Sequence, residues 1–307
     1  MDATARASGK VILLGEHVVV YGRPAIAAGL PIGLEVRVTD GDGPSVVSDD
    51  PAMASDPRPR QLVAEAAALA GVDPRRVVVR VRSDLPAGRG FGSSAALAVA
   101  TLRALFGATG RLLPLATALE WGRRLEALFH GTSSGIDPAA AAFGTCFRFV
   151  RGEPPRVTPV ELATPLPLVI AYGDRARSTG HAVGGLRARW EADRERHEAL
   201  FDAVAGVVER GEAAARGGDL RALGQAFDDN QALLESLGVS SDETAALVAA
   251  ARRAGAFGAK LTGGGAGGAV IALAAEPEAL AARLAREGWR TMVTQIDPHA
   301  ARPGPEE

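Results

Sequence analysis

The chain has 307 residues, 47% of them hydrophobic, which is enough for one large core or two modest ones, and two domains are expected. Its 34 basic and 36 acidic residues nearly cancel to a net charge of -2, which excludes the positive field that would hold nucleic acid or an anionic membrane surface. The single cysteine, Cys146, excludes an intramolecular disulfide and a thiolate cluster for zinc, and reads as a small buried apolar residue.

The N-terminus lacks the basic start, long apolar core and small-residue cleavage site of a secretory signal. No apolar run approaches the roughly 18 residues of a membrane span, so a cytoplasmic protein is expected. The first forty residues alternate apolar runs with turn signals, VILLG, HVVVYG, AIAAGL and LEVRVTD, and predict successive strands of an antiparallel sheet. Gly41 to Arg60, rich in Pro, Asp and Ser, reads as a loop. Apolar residues then recur at helical spacing from Gln61 to Ala70, and RRVVVRVRSDLP alternates as a strand that stops at Pro86.

The next segment, DLPAGRGFGSSAALAVA, sets three glycines and two hydroxyls between a predicted strand and a predicted helix over Ser93–Phe106. Glycines let a backbone approach a phosphate closely, a helix N-terminus adds unpaired amides and positive dipole, and serine hydroxyls bind phosphate or ligate magnesium. A Walker A loop would need lysine where Gly92 stands, and the GRGFGS spacing does not fit a dinucleotide-binding turn. A tight turn with a serine N-cap is the competing structural reading.

Leu115–His130 is a second predicted helix, GTSSGIDPAAAAFG a turn-laden connection, and CFRFV a short strand. Glu126 and Asp137 flank that connection and can face one cavity. Phosphoryl transfer needs such a pair, one carboxylate to hold magnesium and a second group to orient or deprotonate the attacking hydroxyl. A solvated helix carboxylate and a turn residue before Pro138 are the structural alternatives. His17 and His130 read as neutral hydrogen-bonding residues.

The Pro-rich interval Glu153–Pro167 reads as a linker and places the domain boundary near residue 165, dividing the chain into 1–165 and 166–307. PLVIAYG opens the second half as a strand, helical periodicity runs from Thr179 to Arg210, and shorter helices are expected near 219–236 and 241–254. KLTGGGAGGAVIALA follows, with five glycines between Gly263 and Gly268 ahead of an apolar strand. So many glycines are costly in chain entropy, and imply close approach to a ligand or to another loop, with a tight turn as the plainer reading. A helix-then-strand pattern spans 276–297, and the tail ARPGPEE is expected to fray. The only lysines, Lys10 and Lys260, each adjoin a glycine-rich segment in a chain whose default cation is arginine. That pattern points to sites needing a compact ammonium.

Three separate segments, ASGKVILLGEHVVVYGRPAIA, PAGRGFGSSAA and GAKLTGGGAGG, resemble in order the motifs of the superfamily of galactokinase, homoserine kinase, mevalonate kinase and phosphomevalonate kinase. Within it, GEHVVVYG and HGTSSGIDPAAAAFG are similar to the mevalonate kinase branch. DRARSTGHAVGGLR and NQALLESLGVSSDE extend the resemblance over nearly the whole chain. The resemblance implies an α+β, two-domain fold, the first domain like the second domain of ribosomal protein S5 and the second ferredoxin-like. It implies ATP and Mg2+ as cofactors and mevalonate as acceptor, and leaves a homodimer open. Carried over by position, it makes Asp137 the catalytic carboxylate and Lys10 the partner that polarises the hydroxyl or steadies that charge. Pro86, Gly88, Arg89, Gly90, Gly92, Ser93, Ser94 and Ala95 would wrap the ATP phosphates, and Ser94 and Glu126 would ligate magnesium. Glu16, His17, Thr179, Gly264 and Gly265 fall at acceptor contacts. Phe91 stands where the family usually has Leu, and Arg89 adds a guanidinium beside the phosphate path. A neighbouring hydroxy-acid kinase, a decarboxylating relative and a non-catalytic sensor are the competing functions.

Overall fold

The computed structural model describes residues 1–86, 88–130, 133–173, 180–264 and 268–298. Among these residues the strands form two sheets, and the chain leaves the first after Pro159 and enters the second at Leu166.

The first sheet is built around one long strand, β2 (Ala25–Asp40), which β1 (Asp2–Leu14) accompanies antiparallel along its length. On the other side of β2, β4 (Val77–Ser83) pairs with its second half and β5 (Cys146–Val150) with its first. β3 (Ser45–Ser48) runs parallel to β4, and β6 (Arg156–Pro159) antiparallel to β5. AIAAGL and LEVRVTD, expected as separate strands, are thus one. Pro31 interrupts neither, because it sits in the excursion Leu30–Ile32 that faces the single residue Gly9, where Ser8 pairs with Gly33 and Lys10 with Gly29. A bulge asks no ladder N–H of its extra residues, so proline is accommodated there. HVVVYG is not a strand but a 3-10 turn over Val18–Tyr21, entered through Gly15 at φ +92°.

Gly41–Arg60 is more than a loop. It carries β3, a short helix α1 (Pro51–Ser55), and the start of α2 (Pro57–Leu69), whose N-cap Asp56 accepts a hydrogen bond from the Arg58 amide. Proline just after an aspartate is a helix start, and the Pro-rich composition concealed it. α3 (Ser93–Ala108) and α4 (Leu115–His130) follow, and the connection after them folds into α5 (Ile136–Phe143). α3 and α5 pack on β1 and β2, with α4 against both helices. Ala95, Ala96, Ala98, Ala100 and Ala104 of α3 are buried, and such small side chains let the backbones come close.

In the second sheet β10 (Arg290–Ile296), β7 (Leu166–Tyr172), β9 (Val270–Leu273) and β8 (Gly258–Leu261) lie in that order, neighbours antiparallel. Side chains alternate across it. Val169 and Ala171 join Val270 and Ala272 under α9 (Asp242–Arg253) and α10 (Pro277–Arg286). Leu168 and Ile170 turn to the opposite face and join a core that includes Phe201 of α7 (Arg194–Gly217), Phe227 of α8 (Leu220–Ser236) and Leu13 and Leu14 of β1. The two halves therefore share apolar packing. The long periodicity from residue 179 divides into α6 (Gly180–Ala192) and α7, because Asp193 caps a new helix by accepting from the Arg196 amide. No helix among the described residues is long and apolar enough to cross a membrane.

Candidate active site

The bulge opposite Pro31 shapes the site. A side chain at Gly9 would lie 2.4 Å from Leu85 Cδ2 and 3.3 Å from the Phe91 carbonyl oxygen, so glycine there lets the loop after β4 settle onto β1. The settled loop is pinned by the Lys10 amide, which donates to the Phe91 carbonyl at 2.9 Å. Lys10 and the end of the glycine loop are thereby held side by side.

Gly92 completes the turn at φ 74°, a conformation that favours glycine, and serves as N-cap of α3 without any side-chain cap. The first amides of α3, from Ser93, Ser94 and Ala95, are the groups a helix start leaves for an anion. Ser93 is exposed and Ser94 half-buried, and Pro86, Gly88, Arg89 and Gly90 form an accessible rim before them. Arg89 does not reach along that rim into solvent. Its guanidinium carbon lies 5.0 Å above the ring of Tyr172, the last residue of β7, and Phe91 meets the same ring edge-on at 6.4 Å. The loop is thus tied to the second sheet as well as the first.

Asp137 is in the first turn of α5, and its Oδ1 lies 3.1 Å from Lys10 Nζ, with the lysine side chain 7% and the aspartate 23% exposed. A Cβ on Gly92 would stand 2.9 Å from Lys10 Cγ and 3.8 Å from Asp137 Oδ2, and one on Gly263 would stand 3.5 Å from Lys10 Nζ and 3.7 Å from the Gly90 carbonyl oxygen. The three segments singled out in the sequence therefore meet around one ammonium. Gly264 continues the third segment at half-buried depth. Thr179 and Gly265 lie outside the described residues.

Glu126 comes to the same place from α4. Gly122, one turn earlier, lets α4 approach Pro138 so closely that a Cβ there would be 3.0 Å from the proline ring, which sets Glu126 against the start of α5. Glu126 is buried and accepts a hydrogen bond from the Ser133 hydroxyl, which in turn accepts from the Gly135 amide at 3.0 Å. Burial, and then the neighbouring Asp137 carboxylate, push Glu126 up to about 8, against the opposing pull of Ser133 and Lys10. Two carboxylates this near each other, one of them starved of water, suit a divalent cation. No cluster of three or more Asp, Glu, His or Cys ligands occurs among the described residues. The donor set fits magnesium, which takes one or two carboxylates and completes its shell with phosphate oxygens and water.

Glu16 lies deeper than the sequence reading expects. It is fully buried, Oε1 accepts from Lys260 Nζ, and Oε2 accepts from Asn230 Nδ2 at 3.2 Å. Burial pushes Glu16 up and Lys260 down, against their mutual attraction. Both carboxylate oxygens are thereby engaged within the protein. His17 beside it is the one non-glycine residue with positive φ among the described residues, at φ 64° and ψ -44°, and the Val18 amide closes the turn onto the Glu16 carbonyl at 2.7 Å. That is the strained form of the γ-turn, which costs about 1–3 kcal/mol. Its Nε2 is buried with no hydrogen-bond partner among the described residues. Burial first, then the charges of Lys260, Arg189 and Lys10, hold the imidazole down at about 4, so it is neutral at physiological pH.

Sequence reasoning missed Tyr172, Ser133 and Asn230. Ser133 was visible in the TSSG turn, while Tyr172 and Asn230 carry no local signal, since each acts on a residue far away in the chain.

The family model described as GHMP kinases N terminal domain matches residues 60–145, and that described as GHMP kinases C terminal matches residues 212–291. The chain is 33% identical to the mevalonate kinase of Thermococcus onnurineus and 34% identical to that of Thermococcus gammatolerans, each alignment covering 98% of both chains. It superposes on the crystal structure of Leishmania major mevalonate kinase in complex with R-mevalonate with a TM-score of 0.86 and 29% identity, over 97% of each chain.

Proposed function

The chain belongs to the GHMP kinase family, and from that premise we propose that it transfers the terminal phosphoryl group of ATP to the primary hydroxyl of mevalonate. The observation that carries the reading is the 3.1 Å contact of Lys10 Nζ with Asp137 Oδ1 at the foot of an uncapped helix start. An ammonium, a carboxylate and the amides of a helix start are what an alcohol and a triphosphate need when they meet.

In this reading Gly88, Gly90 and Gly92 bring backbone close to the phosphates, with Pro86 and Arg89 bounding the loop, and the amides of Ser93, Ser94 and Ala95 bind phosphate oxygens. Glu126 and the Ser94 hydroxyl would hold Mg2+, which would supply charge neutralisation to the phosphates. His17 and Gly264 line the acceptor. The mevalonate hydroxyl oxygen forms its bond to the γ-phosphorus in line as the bond to the β,γ-bridging oxygen breaks. Asp137 takes the hydroxyl proton, and Lys10 holds the oxygen and the carboxylate in register. ADP carries away the electron pair of the broken bond. Positioning and charge stabilisation supply most of the rate, as in other phosphoryl transfers.

The test is ADP release with Mg2+ and a panel of acceptors, mevalonate, phosphomevalonate, homoserine and diphosphomevalonate, with the product identified by mass spectrometry and carbon dioxide monitored. Mevalonate should give the highest kcat/KM and a monophosphate product. A higher value for any other acceptor, or carbon dioxide release, would overturn the assignment.

A further inference from the structure

The strained turn at His17 is held from the far half of the chain. Lys260, 244 positions away, engages one oxygen of Glu16, and Asn230, 214 positions away, engages the other while its own Oδ1 accepts from the Gly15 amide at 3.4 Å. Lys260 Nζ also donates to the Leu261 carbonyl and lies 5.9 Å from the centre of the Phe227 ring. A second tie runs alongside, where Thr262 Oγ1 accepts from the Ile12 amide and donates to the Ile12 carbonyl, both at 3.0 Å. Stability alone does not account for a wholly buried lysine and glutamate, since well-packed apolar residues of similar volume serve as well or better. An apolar side chain, however, leaves the turn free to relax. A carboxylate gripped on both oxygens does not.

We propose that Lys260 and Asn230 are positioning residues for acceptor recognition: by fixing Glu16 they keep the Gly15–Val18 turn in the conformation that presents His17 Nε2 to the acceptor. The inference rests on the reading above, in which His17 touches mevalonate. It makes the acceptor pocket of the first half depend on residues of α8 and β8, so that the halves must be docked before the acceptor is bound well.

The test is a double-mutant cycle in the full-length chain with ATP and mevalonate. Lys260→Met should raise the mevalonate KM about tenfold or more while the ATP KM stays within about twofold, a split that general loosening of the fold would not produce. His17→Ala should do the same. In the His17→Ala background Lys260→Met should add nothing further to the mevalonate KM, because the group it positions is gone. An effect that multiplies in that background, one shared equally with ATP, or an unchanged mevalonate KM in either single variant would overturn the proposal. Should Lys260→Met fail to fold, Asn230→Ala keeps the ion pair and removes one grip, and the same cycle applies with an expected rise of about threefold. Failure of the functional reading is separable, since it would show as no mevalonate turnover by the unaltered chain.

Discussion

The most discriminating substitution is Gly92→Ala, because it disturbs Lys10 without removing it. A Cβ at this position stands 2.9 Å from Lys10 Cγ, whereas ordinary contact begins near 3.4 Å, so the stem must retreat by roughly half an ångström. Nζ lies three bonds further out, and the 3.1 Å contact with Asp137 cannot survive that retreat unchanged. The positive φ of 74° adds a conformational cost of about 1–2 kcal/mol, which lowers the melting temperature by roughly 2–3 °C for a chain of this size. A displacement of this order at the reacting centre costs kcat about 10²-fold. Gly110→Ala supplies the control, since Gly110 has φ 69° and nothing within 4 Å of its would-be Cβ. The pair should show similar losses in a thermal melt and divergent kcat in a coupled ADP assay. Equal kcat in the two variants would refute the claim that Lys10 must sit where Gly92 lets it.

Gly90→Ala also has nothing within 4 Å of the added methyl, so its effect should fall on the ATP KM, read by varying ATP at saturating mevalonate. Asp137→Asn should lower kcat by about 10²-fold or more with ATP affinity nearly unchanged, measured by nucleotide titration beside turnover. Lys10→Met should likewise lower kcat more than it weakens nucleotide binding, and an unchanged rate would make the lysine a bystander. Glu126→Gln should raise the Mg2+ concentration needed for half-maximal rate, read from a magnesium titration at fixed ATP. The same residue sets a pH dependence in chelator-treated protein. Its folded value of about 8 lies above the ordinary 4.5, so its contribution is fully present below pH 4.5 and is lost as pH rises through 8. Relative to Glu126→Gln, the unaltered chain should lose stability to urea as pH rises from about 4.5 to about 8, and parallel curves would refute the burial argument.

Most of the elements near the site are readable from local pattern. Leu115–His130 has the bounds its periodicity predicts, and the helix expected from Ser93 starts there because three glycines stop anything else from continuing. Where pattern misleads, a distant partner is responsible. HVVVYG has strand composition, but Gly15 and Glu16 are seized by α8 and β8, and the backbone turns out of the ladder at Gly15. GTSSGIDPAAAAFG reads as turns because glycine and proline dominate it, yet Pro138 stands in the first turn of α5, where proline is tolerated, and the four alanines beyond it are good helix formers. In the site itself, the residues that meet at Lys10 are legible as motifs. Their depth is not. Glu16 carries the same local signal as an acceptor contact would, and only the burial of Lys260 against it separates the two roles.

The two lysines make that distinction concrete. Lys10 reaches between Gly92 and Gly263, where any side chain on either glycine would touch it, and it stops at a carboxylate that retains some exposure. A planar guanidinium needs room for five donors, and the acceptor this slot presents among the described residues is the Asp137 carboxylate. Lys260 has no exposure at all, and its ammonium donates to Glu16 and the Leu261 carbonyl. One lysine is therefore placed where charge can be shared with an incoming reactant, and the other where it cannot. The mean composition of the chain, with arginine as its default cation, treats both as the same exception. Their difference comes from the partner each meets across more than a hundred residues of sequence, Asp137 for Lys10 and Glu16 for Lys260.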